Sequence, residues 1–315
     1  MAKPSFLIDG HTSAKALLAG YVQRADDWRR DHLGASIAGH ACDRFLWLSF
    51  RWAADPRHDG QRLRLFERGQ REEAWIVEDL RKTGFQVWDR DDAGNQFRVK
   101  WGHLGGSVDG VVLGLIEAPQ TVHVLECKTH GSKSFARLKE KGVRESKPEH
   151  YVQMQLYMLG LNLDRAYYVA VCKDTDEIHT ERVRFDRKFA EAARDRATAI
   201  IEMPTPPARK APAFPPCVYV SKDGTRWPCQ FFALCHEAEI PAHSCRTCVS
   251  SDPVADAWAC RHHNKLVDGA EQRKGCASHL TIPQIINASV VRVDDLARRI
   301  DYQFADGRTH SDGGK

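Results

Sequence analysis

The most informative stretch of the chain runs from Gly105 to Lys128 and reads GGSVDGVVLGLIEAPQTVHVLECK. Two apolar segments in it carry charged residues, since Asp109 lies in the first and Glu126 and Lys128 end the second. An unpaired charge in a protein core is expensive, so a buried strand has little reason to hold one without a chemical role. Side chains alternate along a strand, which puts Glu126 and Lys128 on one face. The pattern predicts a cluster of two carboxylates and one ammonium, suited to a hard divalent cation and to developing negative charge.

Two flanking segments extend this pattern. Upstream, Arg68-Gly-Gln-Arg-Glu-Glu73 opens an amphipathic stretch, and downstream Tyr151-Val-Gln-Met-Gln-Leu-Tyr157 places Gln153 and Tyr157 about one helical turn apart. In this order, with Asp109 and the Glu-x-Lys strand between them, the four pieces resemble the PD-(D/E)xK nuclease superfamily. The resemblance is to its lambda-exonuclease and RecB-like branch, and it covers roughly residues 30 to 200.

The resemblance implies an α/β restriction-endonuclease-like core, in which helices flank a mixed central sheet. It implies a metal-dependent DNA nuclease that uses Mg²⁺ or Mn²⁺, most specifically an exonuclease acting on linear duplex ends in phage recombination or DNA processing. The catalytic set that follows from it is Glu73, Asp109, Glu126, Lys128, Gln153 and Tyr157.

Each member of this set has an expected role. Asp109, Glu126 and the Cys127 carbonyl are the expected direct metal ligands, because Mg²⁺ prefers oxygen. Glu73 would complete the site or bind a second ion, with its neighbour Glu72 as the alternative. Lys128 would orient or deprotonate the attacking water and stabilise developing charge. The helical glutamine and tyrosine would position the substrate or the lysine.

Contacts to the DNA backbone are expected at two places. The segment around Ser36 and Arg44 is similar to the N-terminal part of phage exonucleases, where such residues contact a phosphate; a helix cap at Ser36 and a surface arginine are the alternative. Residues 129–149 are rich in Gly, Ser and Lys and predict a mobile basic segment over the active site, with a solvated helix of mixed charge as the alternative. The candidate contacts in this segment are Lys133, Arg137 and Lys139.

Periodicity and turn residues predict the elements around the site. The predicted helices are residues 13–31 (with Trp28 in the apolar stripe), 63–83, 150–161 and 186–202. The predicted strands are residues 85–88, 97–101, 122–128, 165–172 and 178–185, with a further strand around Asp109 and a hairpin turn at Pro119-Gln120. Proline-rich sequence after residue 203 predicts a nuclease domain of residues 1–203, a linker of residues 204–240 and a zinc-binding module of residues 241–315.

Seven of the ten cysteines lie between Cys217 and Cys276. In an intracellular protein such a cluster indicates metal binding rather than disulfides. A CxxC pair followed by two later thiols predicts a structural zinc site, in which His263 or His279 could replace one thiol. The predicted zinc ligands are Cys245, Cys248, Cys260 and Cys276.

The other cysteines leave three interpretations open. RecB-like nucleases often carry an iron–sulfur cluster with one cysteine before the core and three after it, and the matching residues here are Cys42, Cys217, Cys229 and Cys235. The tight CxxC pair usual in that cluster is missing, because Phe232 stands where the second cysteine is expected. A second zinc site that also uses His236, or simply buried thiols, are the alternatives.

Composition bounds the class of protein. The chain has 315 residues, a net charge of +4 and 42% hydrophobic residues, which allows one or two globular domains and is compatible with nucleic acid. Because no apolar run reaches the length of a membrane span and the start lacks a signal-peptide core, we expect a protein of the bacterial cytoplasm without membrane association. DNA is the expected partner, with a single-strand annealing protein and further copies of the chain as possible others.

Three rival functions share some of these features. A non-catalytic zinc-containing nucleic-acid-binding protein would use the core as a scaffold, although the intact Asp109, Glu126 and Lys128 argue against it. A structure-specific or RNA-directed endonuclease would have the same chemistry and would cleave circular substrates. An interaction module of a phage assembly would show stable partners without metal-dependent cleavage.

Overall fold

The computed structural model describes residues 12–25, 27, 29–55 and 58–314. Its α-helices are α1 (Ser13–Gln23), α2 (Asp43–Phe50), α3 (Gly60–Lys82), α4 (Ser132–Ser146), α5 (Pro148–Leu161), α6 (Arg187–Glu202), α7 (Phe232–His236) and α8 (Gly269–Lys274). Its first eight strands are β1 (Leu33–Gly34), β2 (Gln86–Trp88), β3 (Arg98–Trp101), β4 (Leu104–Ser107), β5 (Gly110–Leu113), β6 (His123–His130), β7 (Arg165–Cys172) and β8 (Ile178–Arg184). Its remaining strands are β9 (Val218–Val220), β10 (Arg226–Pro228), β11 (Ser251–Val254), β12 (Ala257–Cys260), β13 (Lys265–Val267), β14 (Ser289–Asp294), β15 (Arg299–Gln303) and β16 (Thr309–Gly313). Short 3₁₀ turns lie at Cys245–Thr247 and Pro283–Ile285.

A five-stranded mixed sheet carries the predicted site. Its strand order is β2-β5-β6-β7-β8, and only the β6–β7 pair is parallel, because α4 and α5 form the crossover between these two strands. The chain turns between β5 and β6 at the predicted Pro119-Gln120 position. The predicted mixed α/β core is therefore present.

Helices cover both faces of this sheet. Ile76 and Val77 of α3 pack with Leu125, Cys127 and Val169 of the strands in one apolar cluster. On α5 the residues from Tyr151 to Met158 are all buried, and this helix packs on β6 and β7. Since β6 is covered on both faces, Glu126 is fully buried and Lys128 is largely buried.

Three local expectations differ from the structure. The first helix ends at Gln23 rather than at residue 31, and Asp27 accepts the backbone N–H of Arg29 in a turn that competes with a longer helix. Trp28 lies outside the described residues. Residues 43–50, which carried no helix prediction, form α2.

The third difference concerns the basic segment, which is helical rather than mobile. Ser132 anchors the start of α4, because its N–H and its hydroxyl both bond the Asp174 carboxylate at 2.7 Å. Gly142 breaks the helix with a φ of 70°, and the next N–H, of Val143, donates to Glu181 at 2.7 Å. The segment is therefore a helix, as in the alternative, and contact with DNA stays a prediction.

The chain divides into two compact units. In so far as the residues are described, the first contains Met1–Arg29, Pro56–Val99 and Gly106–Glu191, and the second contains Arg30–Asp55, Lys100–Gly105 and Ala192–Lys315. The predicted boundary after residue 203 does not coincide with this division, which falls within α6. The three-domain organisation stays a prediction, because compactness does not establish which parts fold independently.

The second unit is built from small sheets around buried arginines. The sheets are the β9–β10 hairpin, β11-β12-β13 and β14-β15-β16. Arg246 is 1% exposed; its guanidinium lies 3.6 Å from the Trp52 ring centroid and donates to the Phe50 and Asp31 carbonyls. No described helix has both the length and the apolar character needed to cross a membrane.

Candidate active site

Asp109 occupies a tightly constrained position between β4 and β5. Its Oδ2 accepts the backbone N–H of Cys127 on β6 at 2.8 Å, which fixes the carboxylate against the neighbouring strand. A Cβ on the next residue, Gly110, would lie 2.8 Å from the Trp88 carbonyl oxygen, so β2 and β5 can approach here only because this residue is glycine. Asp109 thus has a fixed carboxylate position, and Gly110 allows the close packing of β2 and β5 beside it.

Glu126 and Lys128 lie on one face of β6, as the alternation predicts. Glu126 is fully buried, whereas the Lys128 side chain is 26% exposed, and its ammonium donates to Oε1 of Glu126. The second oxygen of Glu126, Oε2, is buried without a hydrogen-bond partner in the described part of the chain. A buried carboxylate oxygen without a donor is costly, and it marks a place where a bound cation or water would be stabilised.

Three carboxyl groups act on each other's ionisation here. Burial raises the pKa of Glu126 to about 8, opposed by Lys128 and assisted by Asp109. Burial and the Asp109 carboxylate raise the pKa of Glu73 to about 7, and burial also raises the pKa of Asp109. Like charges that converge in a buried place disfavour ionisation, and a divalent cation reverses that preference.

The surroundings of Lys128, in contrast, favour its charged form. Burial works against its ammonium form, but the Glu126 and Asp109 carboxylates outweigh burial and raise the Lys128 pKa. Without a cation, the side chain therefore stays protonated at neutral pH and is suited to hold negative charge rather than to accept a proton.

The structure separates the two adjacent glutamates of α3. Glu73 faces Asp109 and Lys128, whose charges both act on its pKa. Glu72 instead lines a cavity of about 730 Å³ together with Trp75 and Asp79. The 3.6-residue period of the helix is the reason, since neighbouring residues point about 100° apart.

Gln153 and Tyr157 form a fixed pair on α5. Gln153 is 4% and Tyr157 2% exposed, the Gln153 amide donates to the Tyr157 hydroxyl at 3.0 Å, and that hydroxyl donates to the Ser107 carbonyl at 2.6 Å. Burial and the charge of Glu126 raise the pKa of Tyr157, which places this pair near the carboxylates. The Gln153 Oε1 atom is a second buried oxygen without a partner among the described residues.

A buried histidine–tyrosine–histidine network adjoins the site and was missed by the sequence analysis. The Tyr168 hydroxyl lies 2.8 Å from both His130 Nε2 and His150 Nδ1. Burial lowers the pKa of His130 to about 4 and of His150 to about 3, so both rings are neutral at neutral pH. Two signals in the sequence could have found it: His130 continues the Glu126 and Lys128 alternation, and His150 precedes Gln153 by about one helical turn.

The candidate DNA contacts lie in different surroundings. Lys133, Arg137 and Lys139 are exposed on α4, and Lys139 pairs with Glu177. Ser36 is half-buried in a turn, and its hydroxyl accepts from Arg30 at 3.3 Å. Arg44 is 3% exposed, and its terminal nitrogens donate to the Pro207 and Gln284 carbonyls. Arg44 therefore links segments inside the protein and is not placed for a phosphate contact. The surface arginine of the alternative is not observed either, because Arg44 is buried. Ser36 caps no helix, because α2 begins after Cys42.

The four predicted zinc-binding cysteines line one cavity of the second unit. Burial, assisted by charge on Cys276, Cys248 and Cys260, raises the pKa of the Cys245 thiol to about 11. The backbone N–H of His263 donates to the Cys260 sulfur at 3.4 Å. The Nε2 atom of the His263 ring lies 3.6 Å from the Cys276 sulfur. His279 also lines this cavity, but its Nε2 lies 3.2 Å from the Thr247 hydroxyl.

The remaining cluster brings together cysteines that are far apart in sequence. Cys42, Cys217, Cys229 and Cys235 line one small cavity with His236. Burial, assisted by charge on Cys235, Cys42 and Cys217, raises the pKa of Cys229 to about 11. The Phe231 N–H donates to the Cys229 sulfur at 3.5 Å.

All ten cysteines are free thiols. As their side chains stand, no three His, Cys, Asp or Glu residues in the described ranges form a group that could hold a metal ion. At the thiol clusters and at the carboxylates alike, metal binding would thus require side chains to turn toward a common point.

Comparisons with known proteins give distant similarity only. No family model matches the chain, and no curated protein matches it. A crystal structure of LHK-Exo in complex with dAMP is 15% identical with a TM-score of 0.40, covering 59% of this chain and 90% of that one. The alkaline exonuclease LHK-Exo from Laribacter hongkongensis is 16% identical with a TM-score of 0.38 and coverages of 58% and 90%. A phage related exonuclease from Haemophilus somnus 129PT is 14% identical with a TM-score of 0.37 and coverages of 50% and 77%. TM-scores as low as these carry no argument about function, which therefore rests on the geometry of the site.

Proposed function

We propose that this protein is a Mg²⁺- or Mn²⁺-dependent DNA nuclease. The observation that carries the proposal is a group of three carboxyls, the buried Asp109 and Glu126 and the half-buried Glu73, whose pKa values are all raised beside the Lys128 ammonium. Such an arrangement is destabilising in the empty protein and is found where a cation or a reacting group compensates for it.

The residues fit a hard divalent cation. The donor set is oxygen, and two buried oxygens, Oε2 of Glu126 and Oε1 of Gln153, have no partner among the described residues. Asp109 and Glu126 would hold the ion, with the Cys127 carbonyl and Glu73 as further ligands. The cation would supply an activated water and charge neutralisation at the phosphate.

Residues of the protein would position the metal ligands and stabilise the charge that develops on the phosphate. The Cys127 N–H holds Asp109 in place, and the Gln153–Tyr157 pair closes the buried wall of the site. Lys128 carries a proton at Nζ and would place its positive charge against the phosphoryl oxygens as negative charge develops. Once the carboxylates are neutralised, the Lys128 pKa falls, so this side chain could also accept the proton of the attacking water.

The substrate that we propose is linear duplex DNA, digested from its ends. Lys133, Arg137 and Lys139 on the exposed face of α4 would contact the phosphate backbone. A single-strand annealing protein and further copies of the chain are candidate partners of the same process.

The decisive experiment compares end-labelled linear duplex with covalently closed circular DNA, in Mg²⁺ and in EDTA. We expect metal-dependent cleavage of the linear substrate, a loss of at least about 100-fold in Lys128→Met, and no loss in Lys188→Met, an exposed lysine of α6. Cleavage of the circle would replace the exonuclease by an endonuclease. Absence of cleavage on linear, circular and single-stranded DNA would overturn the nuclease proposal.

We also propose that the two thiol clusters hold metal. Four sulfurs around one cavity suit tetrahedral zinc at Cys245, Cys248, Cys260 and Cys276, with His263 rather than His279 as the replacement ligand because His279 bonds Thr247. Backbone N–H groups that donate to Cys229 and Cys260 would stabilise bound thiolates.

For the Cys42 cluster we propose either an iron–sulfur cluster or a second zinc ion. Metal and sulfide analysis of protein purified without oxygen distinguishes the two. Iron, acid-labile sulfide and visible absorption that disappear in Cys229→Ser would establish an iron–sulfur cluster. Two zinc ions per chain, with one lost in Cys229→Ser and one in Cys248→Ser, would establish two zinc sites.

A further inference from the structure

The hairpin β9–β10 projects from the Cys42 cluster as a closed ribbon. Its ends are Cys217 and Cys229, joined by a hydrogen bond from the Cys229 N–H to the Cys217 carbonyl at 2.7 Å. Its tip closes through the Ser221 N–H, which donates to the Thr225 carbonyl at 2.9 Å. Residues 219–228 are all exposed, so the ribbon is well defined but has no core of its own.

Large aromatic side chains are exposed on this ribbon. Tyr219 and Trp227 are directly opposite each other in the strand register, which puts both rings on one face. Tyr219 is 54% and Trp227 63% exposed, and Phe214, just before the ribbon, is 67% exposed. Aromatic rings concentrated in water in this way mark a recognition surface more often than a structural one.

Positive charge accompanies the rings. Lys222 lies at the tip of the ribbon and Lys210 lies close before it. Arg226 is paired with Val220 and lies on the opposite face of the ribbon. The acidic residue of the tip, Asp223, is engaged internally: its carboxylate bonds the Ser221 hydroxyl and accepts the Thr225 N–H at 3.0 Å, which lowers the Asp223 pKa to about 2. The surface therefore offers cations outward while its carboxylate is held by the turn.

Flat apolar faces beside exposed cations suit a ligand with flat apolar groups on a polyanionic backbone. Unpaired nucleotides have this chemistry, because their bases stack on aromatic rings while their phosphates contact Lys and Arg. Duplex DNA fits less well, since its bases are already stacked on one another. An anionic membrane surface would use the cations but would give the aromatic pair no stacking role.

We propose that the β9–β10 hairpin is a binding site for single-stranded nucleic acid, in which Tyr219 and Trp227 stack on unpaired bases and Lys222 at the tip contacts a phosphate. The inference rests on the proposed nuclease function in one respect: a nuclease that digests one strand of a duplex generates such a single strand. It assigns this binding to residues that lie outside the catalytic set.

The test measures binding of a fluorescently labelled oligothymidine by anisotropy, with all proteins carrying Lys128→Met and with no chelator present. Cleavage then does not interfere, and metal on the thiols at the ends of the hairpin stays bound. We expect Trp227→Ala and Tyr219→Ala each to weaken binding roughly 5- to 150-fold, the range that loss of one base–aromatic stack gives. Trp227→Phe should restore most of the affinity. The matched control is Trp75→Ala on α3, a tryptophan that is 59% exposed, which should bind like the wild type.

Equal affinity of the wild type and both alanine variants would overturn the proposal, as would a loss of affinity that is the same for Trp75→Ala. Ring-dependent binding to anionic vesicles with none to oligothymidine would reassign the surface to lipid. The two proposals fail separately: cleavage without ring-dependent binding removes only the hairpin site, and ring-dependent binding without any metal-dependent cleavage removes only the nuclease.

Discussion

Glu126 combines full burial, a raised pKa and an oxygen without a partner, so the residue is unfavourable for the stability of the empty protein. A raised carboxyl pKa means that the folded state binds protons more tightly than the unfolded state. The stability that this proton binding contributes is complete below the unfolded value of 4.5 and is lost as the pH rises through about 8. Glu73, with a pKa of about 7, acts in the same direction.

We therefore predict that metal-free protein loses stability between about pH 6.5 and pH 8 and that the loss levels off above this range. The neighbouring histidines have lowered pKa values, so their opposite contribution falls between about 3 and 6.5 and leaves this window clear. In Glu126→Gln the loss across the window should be smaller, and the variant should be more stable than the wild type at the upper end. The measurement is urea unfolding in EDTA at several pH values. A parallel decline in both proteins would contradict the raised pKa.

A companion prediction concerns divalent-metal affinity. Protons compete with the cation for the same carboxylates, so Mn²⁺ affinity should rise with pH and level off above about pH 8. Isothermal titration calorimetry of the wild type and of Asp109→Asn would measure it. An affinity that does not change across this range, or that survives in Asp109→Asn, would place the cation elsewhere.

Tyr168 is the residue that joins the two neutral histidines. Tyr168→Phe removes the hydroxyl and leaves His130 Nε2 and His150 Nδ1 without their partner. We expect a loss of about 1–3 kcal/mol in the free energy of unfolding, from two unsatisfied ring nitrogens. Urea unfolding measures the loss, and Tyr219→Phe, an exposed tyrosine, is the control that should change little.

At the scale of elements, the turn that carries Cys245 and Cys248 is held by the arginine between them. Arg246 donates to the Phe50 and Asp31 carbonyls and to the Gln272 side chain, and burial lowers its pKa to about 9. The turn therefore depends on residues that lie some two hundred positions earlier in the chain.

We predict that Arg246→Met costs at least about 2 kcal/mol of stability, because it leaves buried carbonyls without donors. Thermal unfolding together with zinc content would show whether the turn loses its metal at the same time. Arg261→Met, whose side chain is 67% exposed, should change stability by less than about 1 kcal/mol. Equal effects of the two substitutions would show that the buried hydrogen bonds of Arg246 contribute no more stability than an exposed arginine does.

At the scale of the whole molecule, all eight clustered cysteines belong to the second compact unit, and the catalytic set belongs to the first. Metal binding to thiols contributes folding energy, because the ligand set does not exist in the unfolded chain. Removal of thiol-bound metal should therefore raise hydrogen exchange in the second unit, while the central sheet of the first keeps its protection. Uniform loss of protection would show that the two units unfold together.

Local sequence determined the elements that follow a simple period. The strand predicted at residues 165–172 and the helix predicted at residues 63–83 appear as Arg165–Cys172 and Gly60–Lys82. The same alternation predicted that Glu126 and Lys128 share a face. These predictions depend only on residues that are close together in the chain, which is the range over which periodicity carries information.

Tertiary structure alone decided which side chains meet. It directed Glu73 rather than Glu72 toward Asp109, buried Arg44 under two carbonyls, and joined Tyr168 to two histidines. It also gathered Cys42 with cysteines about 175 to 193 residues later. Helix rotation, strand register and chain crossover set these contacts, and each is fixed by packing between segments that are distant in sequence, which a local pattern does not encode.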